Sequence, residues 1–567
     1  MINRLKLQRR GCFFPSRCPG RLERESVHRV KPCHGVFWLN DDRDSSGQDA
    51  QTGSMDSAND RISHVRDLED LAQIALKIPT SIKDKIVNQN YKLAIQTTGG
   101  LQVNVFKATQ AGTGYVFDRT IANQQINGSY TIGGVQKFYN RMVDLNDLSA
   151  SIKPEEYDNP VPFIFEGKTA GEGVIKLVLK KPDNTVELSD EVHVKLMKAA
   201  DMFERAHAKT ARADNRFRLP WEPPRTYVDL LYEPPNVSYS NDTPNFQAPP
   251  GETQQLVTFV HGFNMPDFEK QNWSETMFKR LWWKGFKGRF ASFFWPTPEA
   301  SEHQNIIAST EFFALKYGKS LKGYLEELEG RLSGYTINVT AHSAGNIVME
   351  ETLKQGMVID SYVLMQAAVP ASSYDNGAPL DPQLVFADGV QHTPDSAQNL
   401  GYRGYLQNVQ GKLVNFFNPA DGVLQVGFPI GPLGFINVSW FKFQRDYKPY
   451  DTAGDPSRYF YGNDPTVAGS PIAPRLFYPD PPGPPARRQI INAHESMTFV
   501  ARSRTRAVGA LAGVHGEIDD ALNLNISLGP DNPGFQTERS EHSAQFNRPI
   551  QRVHLFYERL KEELLTQ

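Results

Sequence analysis

Residues 335–353, YTINVTAHSAGNIVMEETL, read as an apolar strand that stops at a single serine, Ser343, and turns directly into a helix. Ile337, Val339 and Ala341 alternate with polar residues as a strand does, and Ile347, Val348, Glu351 and Thr352 then fall into helical spacing, with Leu353 closing the turn. Ala341 and Gly345, two residues either side of the serine, are both small. A nucleophile on a strained strand-to-helix turn requires this, because neither flank has room for a large side chain and the strain presents the hydroxyl above the sheet edge. The following helix points its N-terminus at the serine, where the backbone N–H of Ala344 is placed to stabilise a developing oxyanion. The competing reading is a chance A-H-S-A-G in a buried turn. The strand before and the helix after favour a nucleophile.

Around this stretch, short apolar strands alternate with helices. Residues 255–260 form a strand ending in His261-Gly262-Phe263-Asn264, and 289–295 form an aromatic strand. Residues 310–332 are an amphipathic helix, and 360–368 and 412–417 supply two further strands. This pattern implies a mostly parallel sheet covered by helices on both faces, with its chemistry at the carboxyl ends of the strands. Ser343 stands at such an end.

A serine hydroxyl is a poor nucleophile at neutral pH and needs a base held by a carboxylate. Asp421 follows the strand KLVNFF at a turn marked by Asn418-Pro419, whereas Asp375, Asp381, Asp388 and Asp395 lie in a polar loop and read as solvated. For the base, His542 sits in the loop ERSEHSAQFNRPI directly before a final helix, whose apolar face is Val553, Phe556, Tyr557, Leu560 and Leu564. His494 is the alternative base, at the start of a candidate helix; His542 is preferred because the loop before the last helix is the expected position. His342 points the wrong way on its strand to act as the base and reads as structural.

The order AHSAG, NPADG, EHSAQF, preceded by the strand-end HGFN, resembles the α/β-hydrolase superfamily over roughly residues 255–567. More narrowly, it is similar to bacterial α/β-hydrolase-like proteins that carry an acidic segment and a β-rich region ahead of the hydrolase domain. The resemblance implies an α/β-hydrolase fold, a triad of Ser343, Asp421 and His542, and an oxyanion hole from the backbone N–H groups of Phe263 and Ala344. It also implies a serine esterase or lipolytic enzyme that takes a small-molecule carboxylic ester through an acyl-enzyme without a cofactor. Thioesterase, peptidase and amidase chemistry stay open, because a triad does not encode the leaving group. So does a non-catalytic surface or carbohydrate-binding role carried by the β-rich region. The span between Asp421 and His542 is wider than the family's usual spacing, which requires an insertion. That insertion is rich in Gly, Pro and aromatic residues, and with Trp273, Phe278, Trp282, Trp283 and Phe286 it would make either an apolar lid or a cover for the sheet.

Ahead of this region, residues 91–105 and 175–196 alternate with period two and read as two hairpins, the first turning at Gly99-Gly100 and the second at Pro182-Asp183-Asn184. They make a β-sandwich-like accessory domain over 86–208, followed by a Pro-rich linker at 209–253 and a catalytic domain at 254–567. Residues 36–85 read as an acidic turn plus a helix over 66–78. In that turn Asp41, Asp42 and Asp44 offer oxygen ligands as a calcium loop does, although a solvated acidic turn explains them equally well. Residues 1–35 are a basic, aperiodic tail, or an extension upstream of the true start.

A net charge of -3 argues against a nucleic-acid partner, and no apolar run is long enough to cross a membrane. The three cysteines lie within the first 33 residues, so the remainder holds no disulfide and no cysteine-ligated metal. Compartment is left open: cytoplasmic as the chain is written, secreted or periplasmic if a leader precedes it.

Overall fold

A computed structural model of the chain describes residues 6–9, 35–39, 67–108, 110–118, 120–121, 131–132, 135–136, 143–209, 238–242, 252–263, 265–297, 306–369, 405–418, 421, 522–525, 542–547 and 550–565. Three sheets carry the architecture. One joins β1 (Lys6–Arg9), β3 (Leu71–Lys77), β8 (Pro160–Thr169) and β5 (Gln102–Lys107) in that order. A second joins β2 (Gly35–Trp38), β10 (Val186–Met197), β9 (Gly171–Lys180) and β4 (Lys92–Thr97). A short ribbon pairs β6 (Thr131–Ile132) with β7 (Val135–Gln136).

The third sheet is eight-stranded, in the order β12 (Tyr239–Asp242), β11 (Glu204–Ala208), β14 (Arg289–Phe294), β13 (Gln255–Val260), β15 (Thr336–His342), β16 (Ser361–Met365), β17 (Leu413–Phe417), β18 (Leu522–Asn525). Every neighbouring pair is parallel except β11 with β12. Alternation along the strands sorts side chains to two covered faces. Leu256, Val260, Val339, Ala341 and Leu364 pack under α2 (Ile306–Arg331) and α3 (Gly345–Lys354). Val257, Phe259, Val363, Met365 and Phe416 pack under α1 (Asp267–Trp283) and, near the C-terminus, α5 (Ile550–Leu565). Because both faces are covered, the strands are nearly continuous apolar runs.

Beyond α1 lie the two four-stranded sheets, and one apolar core runs through all of them. Trp283 meets Phe37, Trp38, Tyr115 and Phe117 edge-on at ring-centroid distances of 6.3–6.4 Å. With an element packed on each side, α1 is buried almost all round. The aromatic residues of this region, Trp273, Phe278, Trp282, Trp283 and Phe286, are therefore core and cover the sheet.

Several expectations change. The helix over 66–78 is instead a short 3-10 turn, Asp67–Asp70, followed by β3. Leu71–Leu76 is buried on both faces, so its side chains lose the alternation that marks a half-buried strand. Gln73 is tolerated there because its amide donates to the carbonyls of Gln110 (3.2 Å) and Gly112 (3.0 Å) and accepts from Gly112 N–H (2.6 Å). Residues 91–105 do form two strands, but β4 and β5 belong to different sheets and do not pair as a hairpin. Gly99 and Gly100, both at positive φ, carry the chain across; a Cβ on Gly99 would come within 2.1 Å of the Glu172 carbonyl oxygen. The second hairpin is present as β9 and β10, turning through Asn184 at φ +64°. Sheet partners also cut across the boundaries expected from composition: β2 and β3 join the strands of 86–208, while β11 joins the eight-stranded sheet.

Candidate active site

Ser343 follows β15, the strand between β13 and β16, and has φ +51°, the left-handed region that side chains avoid. The turn is held from every side. Ser343 N–H donates to Met365 O (3.0 Å), and Ser343 O accepts from Ala368 N–H (3.1 Å). The buried Asn346 side chain donates to Ala341 O (3.0 Å) and Ser343 O (2.9 Å), while its oxygen accepts from Tyr362 Oη–H (2.8 Å). A strained residue persists when its surroundings over-determine it in this way. Gly345 begins α3 against the end of β13: a Cβ there would lie 2.5 Å from His261 O and 2.6 Å from Val260 O. At the start of α3, Asn346 N–H donates to Ser343 O (3.2 Å) and Ile347 N–H to Ala344 O (3.0 Å).

The turn after β13 closes over Ser343. A Cβ on Gly262, the residue before Phe263, would sit 3.0 Å from Ser343 Cβ. His261 anchors that turn. Its Nδ1–H donates to Gly262 O (2.8 Å), its Nε2 accepts from Trp295 N–H (3.1 Å), and its carbonyl accepts from Trp295 Nε1–H (2.8 Å). The ring also stacks on Trp295 at 5.5 Å. Burial, reinforced by the Lys270 ammonium, holds this imidazole well below the ordinary histidine range, so it is neutral.

Asp421, just past β17, is fully buried, and His542 lies in the loop before α4 (Ala544–Asn547). His542 Nδ1–H donates to Asp421 Oδ2 at 2.7 Å. The Gln366 amide also donates to Asp421 Oδ2, at 2.6 Å; Gln366 follows β16 with φ +43° and its N–H donates to Phe416 O (2.8 Å). Nδ1 being committed to the carboxylate leaves Nε2 as the imidazole's basic nitrogen. Among the described residues, His542 Nε2 and Ser343 Oγ are both buried without a hydrogen-bond partner.

His342 is buried behind this pair. Its Nε2–H donates to the His542 carbonyl (2.9 Å) and its ring lies 4.8 Å from the His542 ring, with Trp273 and Phe546 edge-on at 5.3 Å each. Burial, with the neighbouring His542 adding to it, pushes this imidazole far down. It is a neutral strut.

With this geometry in place, comparison with known proteins adds little. No family model and no curated protein matches the chain. Solved structures similar to it include an esterase from Pyrococcus furiosus, at 13% identity and TM-score 0.19 over 30% of this chain and 63% of that one. They also include the Pyrococcus horikoshii acylaminoacyl peptidase, at 12% identity and TM-score 0.18 over 44% of this chain and 40% of that one. The chain spans less than two thirds of either.

The structure thus brings Ser343, Ala344, Phe263, Asp421 and His542 to one end of the eight-stranded sheet. His494 and the acidic turn with Asp41, Asp42 and Asp44 lie outside the described residues, as does most of the span between Asp421 and His542. Among the described residues no group of three or more His, Cys, Asp or Glu is arranged to hold a metal ion, and no helix is long and apolar enough to cross a membrane. Sequence reasoning missed Asn346, Gln366 and Trp295. Gln366 and Trp295 act through partners 55 and 34 residues away, and Asn346 through the turn it caps, and only their positions at strand ends or the start of a helix hint at them.

Proposed function

We propose that the chain is a serine hydrolase of α/β-hydrolase fold that cleaves carboxylic esters. One observation carries the reading: Ser343 sits in a left-handed turn between a parallel strand and a helix, while a buried histidine–carboxylate pair, His542 with Asp421, stands at the ends of neighbouring segments. In this reading Ser343 Oγ attacks the ester carbonyl as His542 Nε2 takes its proton. The Phe263 and Ala344 backbone N–H groups receive the oxyanion, and His542 returns the proton to the leaving alcohol. Asp421 keeps Nδ1 protonated and stabilises the imidazolium. Water, activated by the same Nε2, then hydrolyses the acyl-enzyme. The scheme uses no cofactor.

A fluorophosphonate probe and p-nitrophenyl esters of graded chain length test it together. Wild type should label at Ser343 and turn over ester. The Ser343→Ala variant should do neither, and His542→Ala should lose several orders of magnitude in kcat while folded. Labelling without ester turnover would move the assignment to amides or thioesters; folded protein that does neither would overturn it.

A further inference from the structure

Two buried ion pairs tie the 3-10 turn Asp67–Asp70 of the β-rich region to α1. Asp70 pairs with Lys279, and Glu69 pairs with Arg280 through Oε2···Nε at 3.2 Å and Oε1···Nη2 at 3.4 Å. Both pairs are almost wholly removed from water. They differ in what the cation does next. Lys279 lies over the Trp38 ring, and Trp38 Nε1–H donates to Asp70 Oδ1 (2.7 Å). Arg280 spends its third nitrogen elsewhere: Nη1–H donates to Gln545 O at 2.7 Å, and the Tyr557 ring lies 5.6 Å from its guanidinium carbon. Gln545 O also accepts from Tyr557 Oη–H (2.8 Å).

Gln545 lies three residues beyond His542. The segment that joins them enters a tight turn, closed by Phe546 N–H donating to Ser543 O (3.0 Å). Its two ends are gripped separately: His342 holds the carbonyl of His542, and Arg280 holds that of Gln545. Arg280 is aimed by Glu69, whose own carbonyl accepts from Trp283 Nε1–H (2.8 Å). A rigid guanidinium fork transmits direction as a flexible ammonium does not.

We infer that Glu69 is a positioning residue for the base: through Arg280 and Gln545 O, the β-rich region sets the place of His542 in the active site. This rests on the hydrolase reading above. Asp70 supplies a matched control, a neighbouring carboxylate in an equally buried pair without a link to Gln545.

The test uses the full chain with p-nitrophenyl butyrate, urea denaturation and amide hydrogen exchange over residues 543–547. Glu69→Gln should lower kcat about 10- to 100-fold with KM within about twofold, as expected when a catalytic group is misplaced, and should speed exchange in 543–547. Asp70→Asn should lose comparable stability but keep kcat within about twofold of wild type, with exchange in 543–547 unchanged. Glu69→Leu combined with Arg280→Met removes both charges and should regain melting temperature, since an apolar pair can replace a buried ion pair. Its kcat should stay low, because Gln545 O keeps only the Tyr557 Oη–H donor and still lacks the Arg280 donor that Glu69 aims. This double variant also covers the case in which Glu69→Gln alone fails to fold. Equal kcat loss in Asp70→Asn and Glu69→Gln, or kcat recovering with melting temperature in the double variant, would overturn the inference. If wild type neither labels nor turns over ester, the hydrolase reading fails on its own, and exchange decides the positioning: faster exchange in Glu69→Gln supports it, unchanged exchange sinks it.

Discussion

Ser343 carries a backbone cost that the proposed chemistry would require. A left-handed φ costs a side chain about 1–2 kcal/mol and glycine almost nothing. Replacing Ser343 by glycine should therefore leave a protein about 1 kcal/mol more stable than replacing it by alanine, the reverse of the usual order, with both inactive; urea midpoints would measure it. The histidine–carboxylate pair makes a sharper demand. Asparagine at 421 can donate to Nδ1, which moves the imidazole proton to Nε2 and removes the base. Asp421→Asn should lower kcat about 10⁴-fold at nearly native stability. Two further histidines bear on pH. His261 and His342 are held well below the ordinary value of about 6.5 by burial, whereas in the unfolded chain they titrate near it. Between the unfolded and folded pKa the unfolded state binds more protons, so stability is full above about pH 6.5 and falls as pH drops toward the folded values. Unfolding below pH 6 should therefore take up about two protons from these residues, and the stability slope against pH should shrink by about one proton in His342→Asn.

The nucleophile turn works as a unit of strand, turn and helix because α3 starts in contact with the backbone of β13. The neighbours of Gly345 are carbonyl oxygens at a strand end, which cannot rotate away as a side chain would. Gly345→Ala should accordingly cost about 1–3 kcal/mol or more, and fluorophosphonate labelling of whatever folds should slow as Ser343 shifts. The element most at odds with its sequence is β3. LAQIALK has helical spacing of apolar residues only because almost every position is buried, and a strand covered on both faces has no polar side to reveal its period. The β4 and β5 pair shows the complementary failure. Each strand was legible, but a Gly-Gly turn serves a crossing between sheets as well as a hairpin, and long-range partners β9 and β8 decide which.

Across the whole molecule, α1 is the joint. Its Trp283 reaches into the β-rich region, packing on Phe37, Trp38, Tyr115 and Phe117 and donating to Glu69 O. Trp283→Ala should cost about 3–5 kcal/mol, and hydrogen exchange should speed in β3 and α1 together, since the core they share is continuous. Exchange that loosens α1 while leaving β3 untouched would show two independent cores.

The chain by itself determined the parallel strands and the strand-to-helix turn at Ser343, because these are written in local apolar period, in small residues beside Ser343 and in turn chemistry. What covers α1, which strands pair in the β-rich region, and which groups hold His261, His342, Asp421 and His542 were decided by tertiary structure. The reason is physical: burial on both faces erases period, and a buried polar side chain such as Arg280 or Gln366 is defined by partners tens or hundreds of residues away, which no local pattern encodes.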